Sequence, residues 1–153
     1  MPAEATLAYP DLLDDLAKQI GLDPDALRSQ EEISVNGHPL GLALDGPARE
    51  GDVLVFAQLG ALPETQRERI AITLLEANHQ WHGTGGATLA LQPDTGAVTL
   101  WLRLPIPLLS GELLGEQIRD FAEAAEFWRA QLAEPADPPA PAPSEMLGLG
   151  LRA

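Results

Sequence analysis

The sequence has no cysteine among its 153 residues. That excludes a disulfide scaffold, a thiolate metal site and a cysteine nucleophile. Basic residues are scarce: 9 Lys+Arg stand against 23 Asp+Glu, a formal net charge of −14. Those few cations are scattered along the chain. Neither nucleic acid nor an anionic membrane surface is therefore an expected partner, since both are held by clustered Lys and Arg. Apolar runs reach only a handful of residues, far short of the ~20 that a membrane-spanning helix needs. Met1 to Thr6 carry neither the basic nor the apolar portion of a secretory signal, so a soluble, cytoplasmic protein is expected.

What is present is apolar patterning at two periods. Leu12, Leu13, Leu16 and Ile20 recur at helical spacing, with Asp11, Asp14, Asp15 and Lys18 on the other side. This predicts a helix over 9–20, with Pro10 in its first turn and Gly21 as its stop. A short helical turn is expected from Pro24 to Leu27. Ile33 to Val35 and His38 to Leu44 flank Asn36-Gly37, a hairpin signal because both turn residues tolerate positive φ. Asp52 to Leu59 predicts a third strand, with Val53, Val55 and Ala57 on one face and Leu54, Phe56 and Gln58 on the other. A strand apolar on both faces lies between two layers or carries a surface for a partner.

A second helix is expected over 63–81, with Ile70, Leu74, Ala77 and Trp81 in one stripe. Ala87 to Gln92 and Ala97 to Leu104 predict a second hairpin around Pro93 to Gly96. Leu114, Ile118, Phe121, Ala125, Trp128 and Leu132 predict a last helix with Ser110 as its cap. The order is α-β-β-β-α-β-β-α, and strands arriving as hairpins argue for an α+β fold with an antiparallel sheet. Five of the nine residues from Pro135 to Pro143 are proline. Residues 1–134 are thus expected to form the domain and 135–153 a flexible tail, ending in the apolar Met146 to Leu151. The stretch 61–110 is nearly neutral, with 3 basic and 4 acidic residues, so self-association is expected there.

No constellation points to catalysis. His79 and His82, with Glu76 one turn earlier and His38 elsewhere, lack the further ligands of a metal centre. Gly83-Thr84-Gly85-Gly86 follows a helix and opens a strand, the reverse of a phosphate loop. The carboxylate pairs Asp14-Asp15, Glu31-Glu32 and Glu64/Glu68 sit in polar surroundings rather than a cleft. No enzyme activity, cofactor or metal is expected. Trp81, Trp101 and Trp128, together with the strong acidity, suggest instead a binding protein kept soluble by charge.

Several segments taken together are similar to the class I type III secretion chaperones, the Tir-chaperone family. They are Leu74-Leu75-Glu76-Ala77-Asn78, Gly83 to Leu91, Asp94-Thr95-Gly96 and the strand through Leu104-Pro105. Ile33 to Gly37, Leu59 to Pro63 and Phe121 to Trp128 also fit. The resemblance covers about residues 7–133; the tail and the bulky His79-Gln80-Trp81-His82 depart from it. It implies a homodimer with a strongly twisted sheet packed against helices. Its partner would be the N-terminal segment of a secreted effector, held extended, soluble and export-competent, with presentation to the export ATPase as a further role. By this analogy client contacts are expected at Leu12, Leu13, Leu16, Ile20, Ile33, Val35, Leu40, Leu42, Val53 and Val55. The dimer contact is expected at Leu74, Asn78, Trp81, Leu100, Trp101 and Leu102. Leu12→Asp with Leu16→Asp is expected to abolish client binding in a folded dimer, whereas lost helical signal would mark those leucines as core. The tail is expected to act as a tethered pseudo-client competing for an apolar groove. The competing expectations are an adaptor that binds a folded cytosolic partner, a metal protein using His79 and His82, and a purely structural dimer.

Overall fold

A computed structural model describes residues 6–133; the tail expected over 135–153 lies outside the described residues. The chain runs through α1 (Tyr9–Ile20), α2 (Pro24–Gln30), β1 (Glu32–Val35), β2 (His38–Asp45), β3 (Asp52–Ala61), α3 (Arg67–Asn78), β4 (Thr88–Leu91), β5 (Ala97–Pro105) and α4 (Gly111–Ala133). Single 3₁₀ turns at His79–Trp81 and Ile106–Leu108 follow α3 and β5. The strands form one sheet in the order β1-β2-β3-β5-β4. Each neighbouring pair is antiparallel, as the hairpin signals lead one to expect.

Local chemistry accounts for the helix ends. Gly21 closes α1 at φ 76°, a left-handed conformation that costs glycine little. The Asp23 carboxylate caps α2, accepting from the Asp25 N–H at 3.2 Å. Ser110 caps α4 as expected, its hydroxyl accepting from the Leu113 N–H at 3.1 Å. Gly111 is needed for a different reason. A Cβ there would lie 2.6 Å from the Asp15 Cβ, so α1 and α4 meet only because that side chain is absent. The two helices share one core with the sheet: Leu12, Leu13 and Leu16 of α1 and Leu114, Phe121 and Trp128 of α4 cluster with Leu40, Leu42, Val53, Val55 and Leu100. Burying each such side chain contributes roughly 1.5–3 kcal/mol.

The second helix is shorter than its periodicity predicts. It starts at Arg67 rather than near Pro63 because Gln66 takes φ 62°, which no α-helix continues through. It ends at Asn78 because His79 turns to extended backbone at ψ 114°, and Gln80 and Trp81 after it are left-handed, at φ 54° and 58°. Trp81 therefore leaves the Ile70–Leu74 stripe and stands 57% exposed.

Candidate partner-binding surface

The sheet has an inner face, covered by α1 and α4, and an outer face. The expected client residues fall almost wholly on the inner side. Leu12, Leu13, Leu16, Leu40, Leu42, Val53 and Val55 are all at most 2% exposed, and Ile33 is 5% exposed. This corrects their expected position at the open surface: their regular spacing marks the stripe that α1, β2 and β3 turn towards one another. Val35 is half-buried, and Ile20, at the end of α1, is exposed.

The outer face carries the alternate residues. One row crosses four strands: Gly41 of β2 pairs with Phe56 of β3, Phe56 with Trp101 of β5, and Trp101 with Thr88 of β4. The Phe56 and Trp101 rings stack with centroids 4.7 Å apart and planes 21° from parallel. Phe56 lies over Gly41, where a Cβ would come within 2.3 Å of the ring. Only glycine leaves that ring its seat. The Trp101 indole N–H donates to the Thr99 hydroxyl at 2.9 Å.

Two open hollows flank the stack. One, of about 730 Å³, lies between Glu31, Glu32 and Pro39 on one side and Ala90, Leu91 and Thr99 on the other, with Phe56 and Trp101 in its floor. The second, of about 540 Å³, is bounded by Leu54, Trp81, Thr88, Trp101 and Arg103. At that end Arg103 Nη1 donates to Asp45 at 2.5 Å and to Asp52 at 2.8 Å. The hydrogen bond to Asp52, then that to Asp45, holds its pKa above the usual arginine value. Both hollows thus share Trp101, which stays 39% exposed.

The two sheet edges differ. On β4, the Asn78 side chain takes both backbone groups of Leu89. Its amide donates to the Leu89 carbonyl at 2.9 Å and its carbonyl accepts from the Leu89 N–H at 2.8 Å. An amide side chain thus stands where another strand would pair. On β1 the register pairs Val35 with His38 and Ile33 with Leu40. Alternation then turns the backbone groups of Glu32 and Ser34 outward.

The expected dimer set divides in the same way. Leu74 is 9% and Leu100 0% exposed, Leu102 packs against the core, and Asn78 is engaged by Leu89. Leu74 and Leu100 are thus buried within the chain, because β5 is interior to the sheet and α3 turns Leu74 inward, while Asn78 and Leu102 stay partly exposed. Trp81 and Trp101 do stand exposed. The same region also exposes Ile72, Leu75 and Leu91, which periodicity did not single out. Besides Trp81 and Trp101, the apolar second face of β3, with Leu54 and Phe56, was the signal that pointed to the outer surface.

Elsewhere polar groups hold the scaffold. Tyr9 donates to Glu31 at 2.9 Å, tying α1 to the end of α2; burial first, and then that carboxylate, raise its pKa. The Trp128 indole donates to the Gly83 carbonyl at 3.1 Å. Gly83-Thr84-Gly85-Gly86 thus docks on α4 as it enters β4. Among the described residues no three acidic or histidine side chains converge as metal ligands, and no helix is long and apolar enough to cross a membrane.

With this geometry in place, known proteins can be compared. The sequence profile of the Tir chaperone protein (CesT) family matches residues 11–129. No curated protein sequence matches the chain. The fold is similar to that of a chain in the HopA1–SchA chaperone–effector complex, with a TM-score of 0.65 and 21% identity over 85% of this chain and 99% of that one. It is similar to a chain of the ExsC–ExsE complex, TM-score 0.62 and 23% identity over 80% and 92%. It is also similar to a chain of the heterodimeric ExoU–SpcU complex of the Pseudomonas aeruginosa type III secretion system, TM-score 0.60 and 21% identity over 80% and 98%. At these identities the structural likeness is one of fold.

Proposed function

The chain belongs to the Tir chaperone protein (CesT) family, and from that premise we propose that it is a cytosolic type III secretion chaperone. It holds the N-terminal segment of a secreted effector in extended form, soluble and ready for export. The observation that carries this reading is the uncovered row Gly41–Phe56–Trp101–Thr88 with its flanking hollows. An extended segment drops alternate side chains into such hollows, and it can pair its backbone with an open sheet edge. The outward groups of Glu32 and Ser34 on β1 offer that edge. Val35 follows them on the same strand and is half-buried.

Two further parts of the proposal concern assembly. Ile72 and Leu75 of α3 are exposed and line neither hollow; they lie in the near-neutral stretch of the chain and form the homodimer contact. The loaded dimer then passes its client to the export ATPase.

The test is purification of the tagged protein from secreting cells, followed by limited proteolysis and mass spectrometry of what co-purifies. A secreted protein protected only near its N-terminus is expected, and Phe56→Ser with Trp101→Ser should remove that protection while helical signal remains. A folded cytosolic partner held equally well by the double variant would replace the proposal with an adaptor.

A further inference from the structure

We infer that the larger hollow of the outer face selects a client segment in which a lysine or arginine stands beside the apolar side chains, its cationic end against Glu31 and Glu32. The inference rests on the proposed function and deepens it by naming the charge of the segment held there.

The two hollows share Trp101 but differ in charge. The smaller one contains a cation already held by acids: Arg103 Nη1 donates to both Asp45 and Asp52. The larger one is lined by Glu31 and Glu32, and no Lys, Arg or His lines it among the described residues. Arg129 donates to the carbonyl of Gln58, a lining residue, at 3.1 Å, but it comes from α4 on the inner side and does not itself line the hollow. A purely apolar segment seated there would strip water from two carboxylates and give them no counter-charge, which is costly. An acidic side chain in the segment would add like-charge repulsion. A basic one removes both penalties.

The carboxylates are placed for this role. Glu31 is half-buried, and its Oε2 accepts from the Tyr9 hydroxyl at 2.9 Å. That bond fixes the carboxylate while leaving it further acceptor sites. Glu32 is exposed, and its neighbour Ile33 turns inward. The register pairs Glu32 with Gly41, so the aromatic row continues as Glu32–Gly41–Phe56–Trp101. Glu32 also lies on the β1 edge. On a strand added there, a residue opposite Glu32 has its Cβ only about 5 Å away on the same face. The stacked Phe56 and Trp101 rings give the methylene stem of a lysine or arginine an apolar bed. The exposed indole attracts the cation itself.

The test is calorimetric titration of the full chain with short peptides that alternate leucine with threonine. They carry lysine, threonine or glutamate at the central polar position. Salt is set at about 0.15 M, where charges further apart than about 8 Å are largely screened. The lysine peptide should bind about tenfold tighter than the glutamate peptide, an attraction and a repulsion each worth a few-fold at a partly exposed site. Glu31→Gln with Glu32→Gln keeps an acceptor for the Tyr9 hydroxyl and should cut that preference to below about threefold, the residue left by the field of the acidic chain. Glu116→Gln with Glu123→Gln removes the same formal charge from exposed positions on α4 that line neither hollow, and should leave the preference intact. A preference that falls equally in both double variants, or persists in both, would overturn the inference, because the net charge of the whole chain would then carry it. Equal binding of the three peptides, lost in Trp101→Ser, would overturn it too, yet leave the proposed function standing on a face that takes any apolar segment. Failure of all three peptides to bind would remove the inference together with the placement of the client on this face.

Discussion

The two faces of the sheet are built from one set of strands, and along β3 from alternate residues of a single apolar run. Val53, Val55 and Ala57 point one way and are at most 3% exposed. Leu54 and Phe56 point the other way and stay partly open. Their hydrophobicity is much the same; what differs is the layer above them. The inner residues meet α1 and α4 at native packing density, where a change of one methylene is felt. The outer residues meet two hollows. An apolar strand therefore says that both faces seek cover, and it is the rest of the chain that decides which face is covered within the molecule.

The sharpest way to break this comparison is to charge the inner face. Leu12 and Leu16 are both fully buried. Both lie in an apolar cluster, so two aspartates there would have to be desolvated or neutralised. Leu12→Asp with Leu16→Asp is expected to cost at least ~5 kcal/mol, comparable to the whole stability of an ordinary domain. Circular dichroism should show the helical signal lost and no cooperative melt. A folded dimer that merely stops binding its client would mean that α1 opens to the surface, and the two faces would no longer be distinct.

Where the sequence was legible, local patterns agreed with each other. α1 combines a leucine stripe, a proline start and a glycine stop. The Asn36-Gly37 hairpin and the long α4 stripe are equally self-contained. The same stripe that reveals α1 cannot say what covers it, so Leu12, Leu13 and Leu16 read as well for a client groove as for a core. The limits of α3 were hidden because they depend on left-handed Gln66 and extended His79, residues with no strong preference for breaking a helix there. Asn78 was visible in Leu-x-Ala-Asn, but its role depends on Leu89, eleven residues on and across a loop. The stack of Phe56 on Trp101 needs the β3–β5 register, which joins residues 45 positions apart.

The edges of the sheet repeat the contrast between closed and open at smaller cost. Asn78→Ala leaves the Leu89 N–H and carbonyl without their partner, a loss of about 1–3 kcal/mol. It also frees the β4 edge to pair with another chain. The melting temperature should fall by several degrees, the Leu89 amide should exchange faster, and association should become concentration-dependent. Unchanged exchange at Leu89 would mean that the amide does not close that edge.

On the outer face the effect on folding should be smaller and the effect on binding larger. Trp101 is 39% exposed, and its stack on Phe56 contributes about 0.5–1.5 kcal/mol beyond buried area. Trp101→Ser is expected to leave a cooperative fold while weakening an effector's N-terminal peptide at least about tenfold, or ~1.4 kcal/mol. Calorimetric titration with that peptide would read both affinity and stoichiometry. Equal loss of stability and of binding would make the residue part of the core after all.

The smallest expected effect tests whether the open face is open in the free protein. If Met146 to Leu151 covers the hollow in a fraction of molecules, a client competing for it binds only to the remainder, and its apparent affinity falls by that free fraction. Removing residues 135–153 should then tighten peptide binding about threefold, the change expected if two molecules in three are covered. The tightening should vanish in a Trp101→Ser background, because the floor that both occupants share is gone. A truncation that leaves affinity unchanged would mean that residues 135–153 do not compete with the client for this face.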